Sequence, residues 1–168
     1  MVVHDLDAGA DIEHTNEYGF DDLRFALWGA HLDSARLLVE RGAAVGVDEA
    51  AALGDIAVLD ATWPTDPPVA EAVGAYLMAC RAGQVASIEW FLRHGMPVDL
   101  HPPGDEWGGV GCPGLHHAAV NGQLDAVRAL LDAGADPNLV DDVHGGNARD
   151  WAESGGDPDV ISVLADRS

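Results

Sequence analysis

The stretch Gly111 to Asn138, GCPGLHHAAVNGQLDAVRALLDAGADPN, decides how the rest of the chain folds. A short helical run, Leu115 to Asn121, ends at Gly122, because a glycine just past a helix adopts the left-handed conformation and lets the chain reverse within a few residues. A second helical run follows, with four apolar side chains on one face: Leu124, Val127, Leu130 and Leu131. The stretch therefore predicts two short antiparallel helices joined by a tight turn.

Shorter copies of this pattern recur along the chain. The sequence DAGAD stands at 7–11 and again at 132–136, and the related ERGAA and RHGMP stand at 40–44 and 93–97. A helix pair of this size has too few residues to close a core by itself, so each pair must stack on its neighbours. The sequence therefore predicts a linear array of helix pairs.

The sequence resembles the ankyrin repeat family. LHHAA at 115–119 is similar to the family's TPLHxAA segment, and LLDAGADPN at 130–138 is similar to its LLxxGADxN segment. The family's period of about 33 residues agrees with the spacing of Gly9 and Gly42, which are 33 positions apart. The resemblance implies an all-α, ankyrin-type solenoid of helix-turn-helix repeats, with about four full repeats plus an N-terminal stub.

We interpret the whole chain, 1–168, as a single ankyrin-repeat domain. Its predicted parts are a stub at 1–13, repeat 1 at 18–45, a degenerate repeat 2 at 46–66, repeat 3 at 69–99 with a long finger at 100–110, repeat 4 at 111–138 and a C-terminal cap at 144–167. A finger is the hairpin that projects between repeats. Repeat 2 has lost most of its finger, because Gly42 and Gly95 are only 53 positions apart where two periods need roughly 66.

Repeat 1 departs from the family at its entry. Asp21, Asp22 and Arg24 stand where the family usually has Thr, Pro and His, so the hydrogen bonds of those residues must be replaced. Asp21 is expected to cap the first helix, because its carboxylate can accept from free amide groups in the first turn.

The charge balance is strongly acidic, with 29 Asp and Glu against 8 basic residues, all of them Arg, and a formal net charge of −21. Such a surface repels phosphate backbones and anionic lipid, so we expect no nucleic-acid partner and no membrane partner. There is no apolar run of 18 residues and no secretory signal, which favours a cytoplasmic protein. Two cysteines without a partner motif argue against a disulfide framework, and Cys80 fits a small core residue.

A metal ion and a cofactor are not expected. His116 and His117 are adjacent, and neighbouring helical residues diverge by about 100°, unlike a metal-binding i, i+4 pair. Gly109, Gly111 and Gly114 match a dinucleotide fingerprint, but their neighbours are helix pairs rather than the strand that the motif requires.

The primary functional hypothesis is a non-catalytic protein-binding scaffold with an acidic, aromatic-bearing concave groove for a protein partner with a basic or Arg-bearing surface. In ankyrin-like stacks, partners bind along finger tips and first helices, which here carry Tyr18, Phe20, Trp28, Arg81, Trp107, Asn121 and His144. We further expect Trp28 and Trp107 to lie on the same side of the stack and to flank the missing finger. In the alternative, Phe20 or Trp28 packs into that gap as a structural residue.

A second hypothesis is a small-molecule-binding protein or an enzyme on the same scaffold, with the loop 100–111 as a lid over a pocket at Trp107. His101, Asp105, Glu106 and Cys112 would then supply acid–base groups. An open concave strip favours the scaffold, whereas a closed pocket with converging polar groups favours the second hypothesis.

Overall fold

The computed structural model describes residues 21–64, 69–100, 102 and 111–167. These residues form ten α-helices: α1 Asp22–Trp28, α2 Leu32–Glu40, α3 Val47–Leu53, α4 Ile56–Thr62, α5 Val69–Ala82, α6 Val85–Arg93, α7 Gly114–Val120, α8 Leu124–Asp132, α9 Ala148–Gly155 and α10 Pro158–Ala165. The prediction of an all-α repeat solenoid is confirmed. Predicted and observed helix ends differ by one or two residues, as for α7, which was expected at 115–121.

The helices form pairs that stack in two layers. The first helices α3, α5, α7 and α9 each pack against the next one along the chain, and so do the second helices α4, α6, α8 and α10. We call these the first-helix layer, which α1 joins, and the second-helix layer. Within most pairs the turn contains a left-handed glycine, such as Gly83 (φ +72°) and Gly122 (φ +67°), as the sequence predicts.

The turn between α1 and α2 is built differently. Its left-handed residue is Ala30 (φ +55°), and Gly29 one position earlier has an ordinary negative φ. An L-residue in this conformation costs roughly 1–2 kcal/mol because its Cβ crowds the following carbonyl oxygen. Repeat 1 therefore forms its turn without the glycine that relieves this strain elsewhere.

The apolar core runs along the stack in two parts. The larger part extends from α3 to α10 and contains Tyr76, Phe91 and Leu130, which are all fully buried. The smaller part joins α1 and α2 to Ala52 of α3 and to Met78 and Ala82 of α5. Helices α1, α3 and α5 therefore share the smaller part of the core even though repeat 2 is short.

Three consecutive alanines explain how α1 reaches α5, two repeats away. Ala50, Ala51 and Ala52 of α3 are completely buried, and their small side chains let neighbouring helices approach closely. At 14 residues, α5 is also about twice as long as the other first helices. Helix α1 consequently contacts both α3 and α5.

The unusual entry of repeat 1 is held by charge. Asp21 caps α1 by accepting a hydrogen bond of 2.7 Å from the backbone N–H of Arg24, which confirms its predicted role. The Arg24 guanidinium pairs with Glu49 at 3.1 Å and with Asp48 at 3.3 Å. Burial raises the pKa of Asp48 to about 6; Arg24 opposes this rise, and Glu49 and Glu71 add to it. Because both Nε and Nη2 of Arg24 donate to Glu49, Arg24 ties α1 to α3 mainly through Glu49.

Candidate functional site

Four of the predicted binding residues fall within the described residues, and all four belong to the first-helix layer or its loops. Trp28 ends α1, Arg81 lies near the end of α5, Asn121 caps the C-terminus of α7, and His144 lies in the loop before α9. This common location follows from the repeat, which places equivalent helix ends side by side. Tyr18, Phe20 and Trp107 lie outside the described residues, so the predicted pairing of Trp28 with Trp107 remains a prediction.

Trp28 and Arg81 are in direct contact. The Arg81 guanidinium carbon lies 4.6 Å from the centroid of the Trp28 ring, in cation–π geometry, and Nε of Arg81 donates to the backbone carbonyl of Trp28. Gln123, which follows α7, donates to the backbone carbonyl of Arg81 at 3.2 Å. Arg81 thus links three repeats, and the Trp28 ring is already half-buried by contacts within the chain.

Asn121 is turned back onto its own helix. Its side-chain amide donates to the backbone carbonyl of His117 at 2.8 Å, which satisfies one of the free carbonyls at the end of α7. This hydrogen bond gives Asn121 a structural role at the helix end.

A cavity beside Arg81 lies at the junction of repeats 1, 3 and 4. We call it the arginine pocket, and its lining residues are Trp28, Gly74, Leu77, Met78, Arg81 and His117. The space that the centre of a water molecule can occupy in this pocket is about 10 Å³. That is roughly room for one water molecule.

His117 and Cys112 form a buried pair next to this pocket. The Nε2 atom of His117 lies 3.4 Å from Sγ of Cys112, and both residues are buried. Burial lowers the pKa of His117 to about 3, helped by the positive charge of Arg81 and by His116. Burial also raises the pKa of the Cys112 thiol to about 12, with Asp141 and Asp142 adding to the rise and Arg81 opposing it.

The Cys112–His117 pair is therefore uncharged at neutral pH. Nucleophilic catalysis needs a thiolate, which a nearby imidazolium normally stabilises. Here burial disfavours both ions, and Cys112 is inaccessible to a substrate. Cys112 thus does not supply the acid–base group assigned to it in the enzyme hypothesis; His101, Asp105 and Glu106 lie outside the described residues.

His116 lies in the LHHAA segment, where the resemblance to ankyrin repeats implies a structural histidine. It is fully buried, and its Nε2 atom lies 3.2 Å from the backbone carbonyl oxygen of Gly146 in the next finger. His116 and His117 contact Trp151 of α9 edge-on, with ring centroids 5.7 and 6.3 Å apart. The adjacent histidines share Trp151 but have different polar partners, Gly146 for His116 and Cys112 for His117. No group of three or more metal-ligating side chains occurs among the described residues.

The loop 139–147, which we call the finger loop, is fixed by Asp141. Its buried carboxylate accepts from the backbone N–H groups of Val143 and Gly146, both at 2.9 Å, from that of His144, and from Nε1 of Trp151 at 2.9 Å. Burial disfavours the carboxylate, but these four donors outweigh it and hold the pKa of Asp141 well below its usual range. Asp141 therefore fixes the finger loop relative to α9 while remaining charged.

A larger cavity lies between the finger loop and the first-helix layer. This finger pocket has a volume of about 500 Å³, and its lining residues are Val120, His144, Gly145, Gly146, Asp150, Trp151 and Ser154. Its volume falls within the range of about 300–1,000 Å³ that is typical of ligand-binding clefts. The pocket combines an indole, a carboxylate, a hydroxyl and an exposed imidazole, and only His144 among these was predicted from the sequence.

A second aromatic cavity, on the second-helix layer, was missed by the sequence analysis. Trp63 meets Trp90 edge-on at 5.3 Å, and His94 stacks on Trp90 at 3.8 Å. Nε1 of Trp90 donates to Asp60 at 2.7 Å. The cavity, of about 450 Å³, is bordered by Asp60, Trp63, Pro64, Ala72, Trp90, His94, Gly95, Met96 and Pro97. The signal in the sequence was Trp63, which directly follows α4.

No helix within the described residues combines the length and the apolar character needed to cross a membrane.

Comparison with known proteins agrees with the fold. Residues 50–141 and 76–167 match the family model for ankyrin repeats in three copies, so the matches together cover more than half of the chain. The chain is also similar to the palmitoyltransferase AKR1 of Naumovozyma castellii, with 33% identity over 81 residues. Those residues are 48% of this chain but only 10% of that protein, so the similarity concerns a small part of the transferase.

Proposed function

Because the chain belongs to the ankyrin repeat family, whose repeats mediate protein–protein interaction, we propose that it binds an extended segment of a protein partner along the first-helix layer. The finger pocket carries the proposal. Its volume of about 500 Å³ is typical of a ligand-binding cleft, it lies beside a finger, and the four hydrogen bonds to Asp141 fix the loop that borders it. A cavity whose walls are already fixed loses little entropy when a ligand binds.

The chemistry of the finger pocket favours a basic side chain. The face of an indole attracts a guanidinium or ammonium group, and Trp151 lines the pocket together with the carboxylate of Asp150. The net charge of −21 adds long-range attraction, which accelerates the encounter with a basic segment more than it tightens the complex. The partner segment is therefore one that places an Arg or Lys in the finger pocket.

Selection from a random peptide library on the immobilised protein tests this function. We expect enrichment of peptides that contain Arg or Lys. Ser154→Arg should weaken binding of the best peptide at least about tenfold, because the substitution places a charge of the same sign as the peptide's in the pocket. Ser162→Arg is the matched control, since Ser162 is an exposed serine on α10 in the second-helix layer and the change in net charge is the same. Enrichment without basic residues, or equal weakening by both variants, would overturn the proposal.

A further inference from the structure

Arg81 stands apart from most of the other arginines. Five of them, Arg24, Arg36, Arg128, Arg149 and Arg167, form ion pairs with carboxylates. The half-buried Arg81 guanidinium makes no ion pair with any described residue, and its hydrogen bond comes from Nε alone. Burial lowers the pKa of Arg81. The Nη1 and Nη2 groups of Arg81 therefore keep unused hydrogen-bond donors.

His117 brings a second unused donor to the same cavity. Its side chain lines the arginine pocket, it is only 6% exposed, and its Nδ1 atom is buried without a hydrogen-bond partner. We assign to His117 the tautomer in which the S–H of Cys112 donates to Nε2 and the proton of the neutral ring lies on Nδ1. A buried N–H without an acceptor costs about 1–3 kcal/mol, so a ligand that supplies an acceptor would recover that free energy.

We propose that Arg81 and His117 form a subsite for a single carboxylate of the bound protein segment. A carboxylate oxygen accepts from both the Arg81 fork and the His117 ring, and charge-assisted hydrogen bonds of this kind are about twice as strong as neutral ones. The arginine pocket has space for about one oxygen atom, so a carboxylate would insert a single oxygen there. Trp28 holds the guanidinium in place through the cation–π contact and its backbone carbonyl.

The position of the subsite fixes the partner sequence further. His117 contacts Trp151, which lines the finger pocket, so the two pockets are neighbours in adjacent repeats. Adjacent helices lie about 8–10 Å apart, and an extended segment advances about 3.3 Å per residue, so the acidic and basic residues of the segment are roughly three positions apart. This spacing rests on the proposed function, whereas carboxylate binding itself does not.

A titration with a small probe tests the subsite without a partner. We expect acetyl-aspartate amide, at constant ionic strength, to shift the NMR signals of the Arg81 Nε–H and the His117 ring in a saturable manner. The isosteric acetyl-asparagine amide should produce no such shift, because it lacks the charge. Arg81→Gln should weaken binding of the aspartate probe at least about tenfold, and Arg81→Lys should weaken it less, because lysine keeps the charge but loses the fork. Arg93→Gln, at an exposed arginine of α6, is the matched control and should change nothing.

Three results would overturn the subsite. Shifts that rise linearly with concentration would mean that the pocket holds only water, and shifts that persist in Arg81→Gln would place the anion elsewhere. Inorganic phosphate binding as tightly as the aspartate probe would contradict the assignment to a carboxylate. None of these results would affect the peptide selection, in which a basic segment can still occupy the finger pocket.

Discussion

At the scale of single residues, the finger pocket depends most on Asp141. Its carboxylate accepts four hydrogen bonds that join the finger loop to α9, and it is 2% exposed. Asp141→Asn replaces one oxygen with an NH₂ group that faces N–H donors, so the loop loses acceptors where it needs them. We expect the free energy of unfolding at pH 7 to fall by about 2 kcal/mol or more, as measured by urea denaturation.

The effect of Asp141→Asn should depend on pH. The pKa of Asp141 is lower in the folded protein than in the unfolded chain, so its contribution is complete above the ordinary value of about 4 and is lost as the pH falls toward the folded value. The difference between wild type and variant should therefore shrink below about pH 4. Asp125→Asn, at an exposed carboxylate of α8, is the matched control and should change stability by less than about 0.5 kcal/mol. A difference that stays constant down to low pH would contradict this role of Asp141.

The sequence predicted residue roles well where the interaction is local. Asp21 was assigned to a helix start and caps it, because a cap depends only on the next three residues. The contact of Arg81 with Trp28 and the pairing of His117 with Cys112 were not predicted. Arg81 and Trp28 are 53 positions apart in the chain, so no local pattern connects them. The pairing of His117 with Cys112 depends on the path of the chain before α7.

At the scale of helices, the packing of α5 against α7 depends on one glycine. A Cβ atom added to Gly114 would lie 2.5 Å from Sγ of Cys80 and 3.4 Å from the ring of Tyr76. Both Cys80 and Tyr76 are completely buried, so neither can move aside freely. We expect Gly114→Ala to lower the free energy of unfolding by about 1–3 kcal/mol through overpacking.

A double-mutant cycle identifies the cause. Cys80→Ala removes the sulfur that the new methyl group would meet, so the double variant should be more stable than the sum of the single effects predicts, by about 1 kcal/mol. Urea denaturation of the three variants measures this coupling. Additive effects would show that Gly114 is needed for another reason, such as the start of α7.

Helix positions followed from sequence more readily than helix lengths. The turn glycines and the apolar spacing predicted the pairs, because both signals lie within about 15 residues. The 14-residue α5 was not predicted, since apolar residues surround it and its length depends on what α3 and α7 cover. The left-handed Ala30 was also missed, because the adjacent Gly29 gives the stronger turn signal.

At the scale of the whole molecule, the net charge of −21 sets two electrostatic effects against each other. Like charges repel one another in the compact fold, which lowers its stability. Ion pairs oppose this, but the pairs of Arg36 with Asp33, Arg128 with Asp125 and Arg167 with Asp132 are exposed, and exposed pairs contribute about 0–1 kcal/mol each. Carboxylates outnumber basic residues by more than three to one, so repulsion should dominate.

Salt should therefore stabilise this protein. The Debye length falls from about 30 Å at 0.01 M to about 8 Å at 0.15 M ionic strength, so repulsion across the molecule is screened before close pairs are. We expect Tm to rise by roughly 3 °C or more over this range, equivalent to about 1 kcal/mol for a chain of this size. Sodium chloride and choline chloride should act alike, because the effect is one of screening, and sucrose at the same osmolality should have a smaller effect. Thermal unfolding followed by circular dichroism measures the shift; a Tm that falls with salt would mean that the ion pairs outweigh the repulsion.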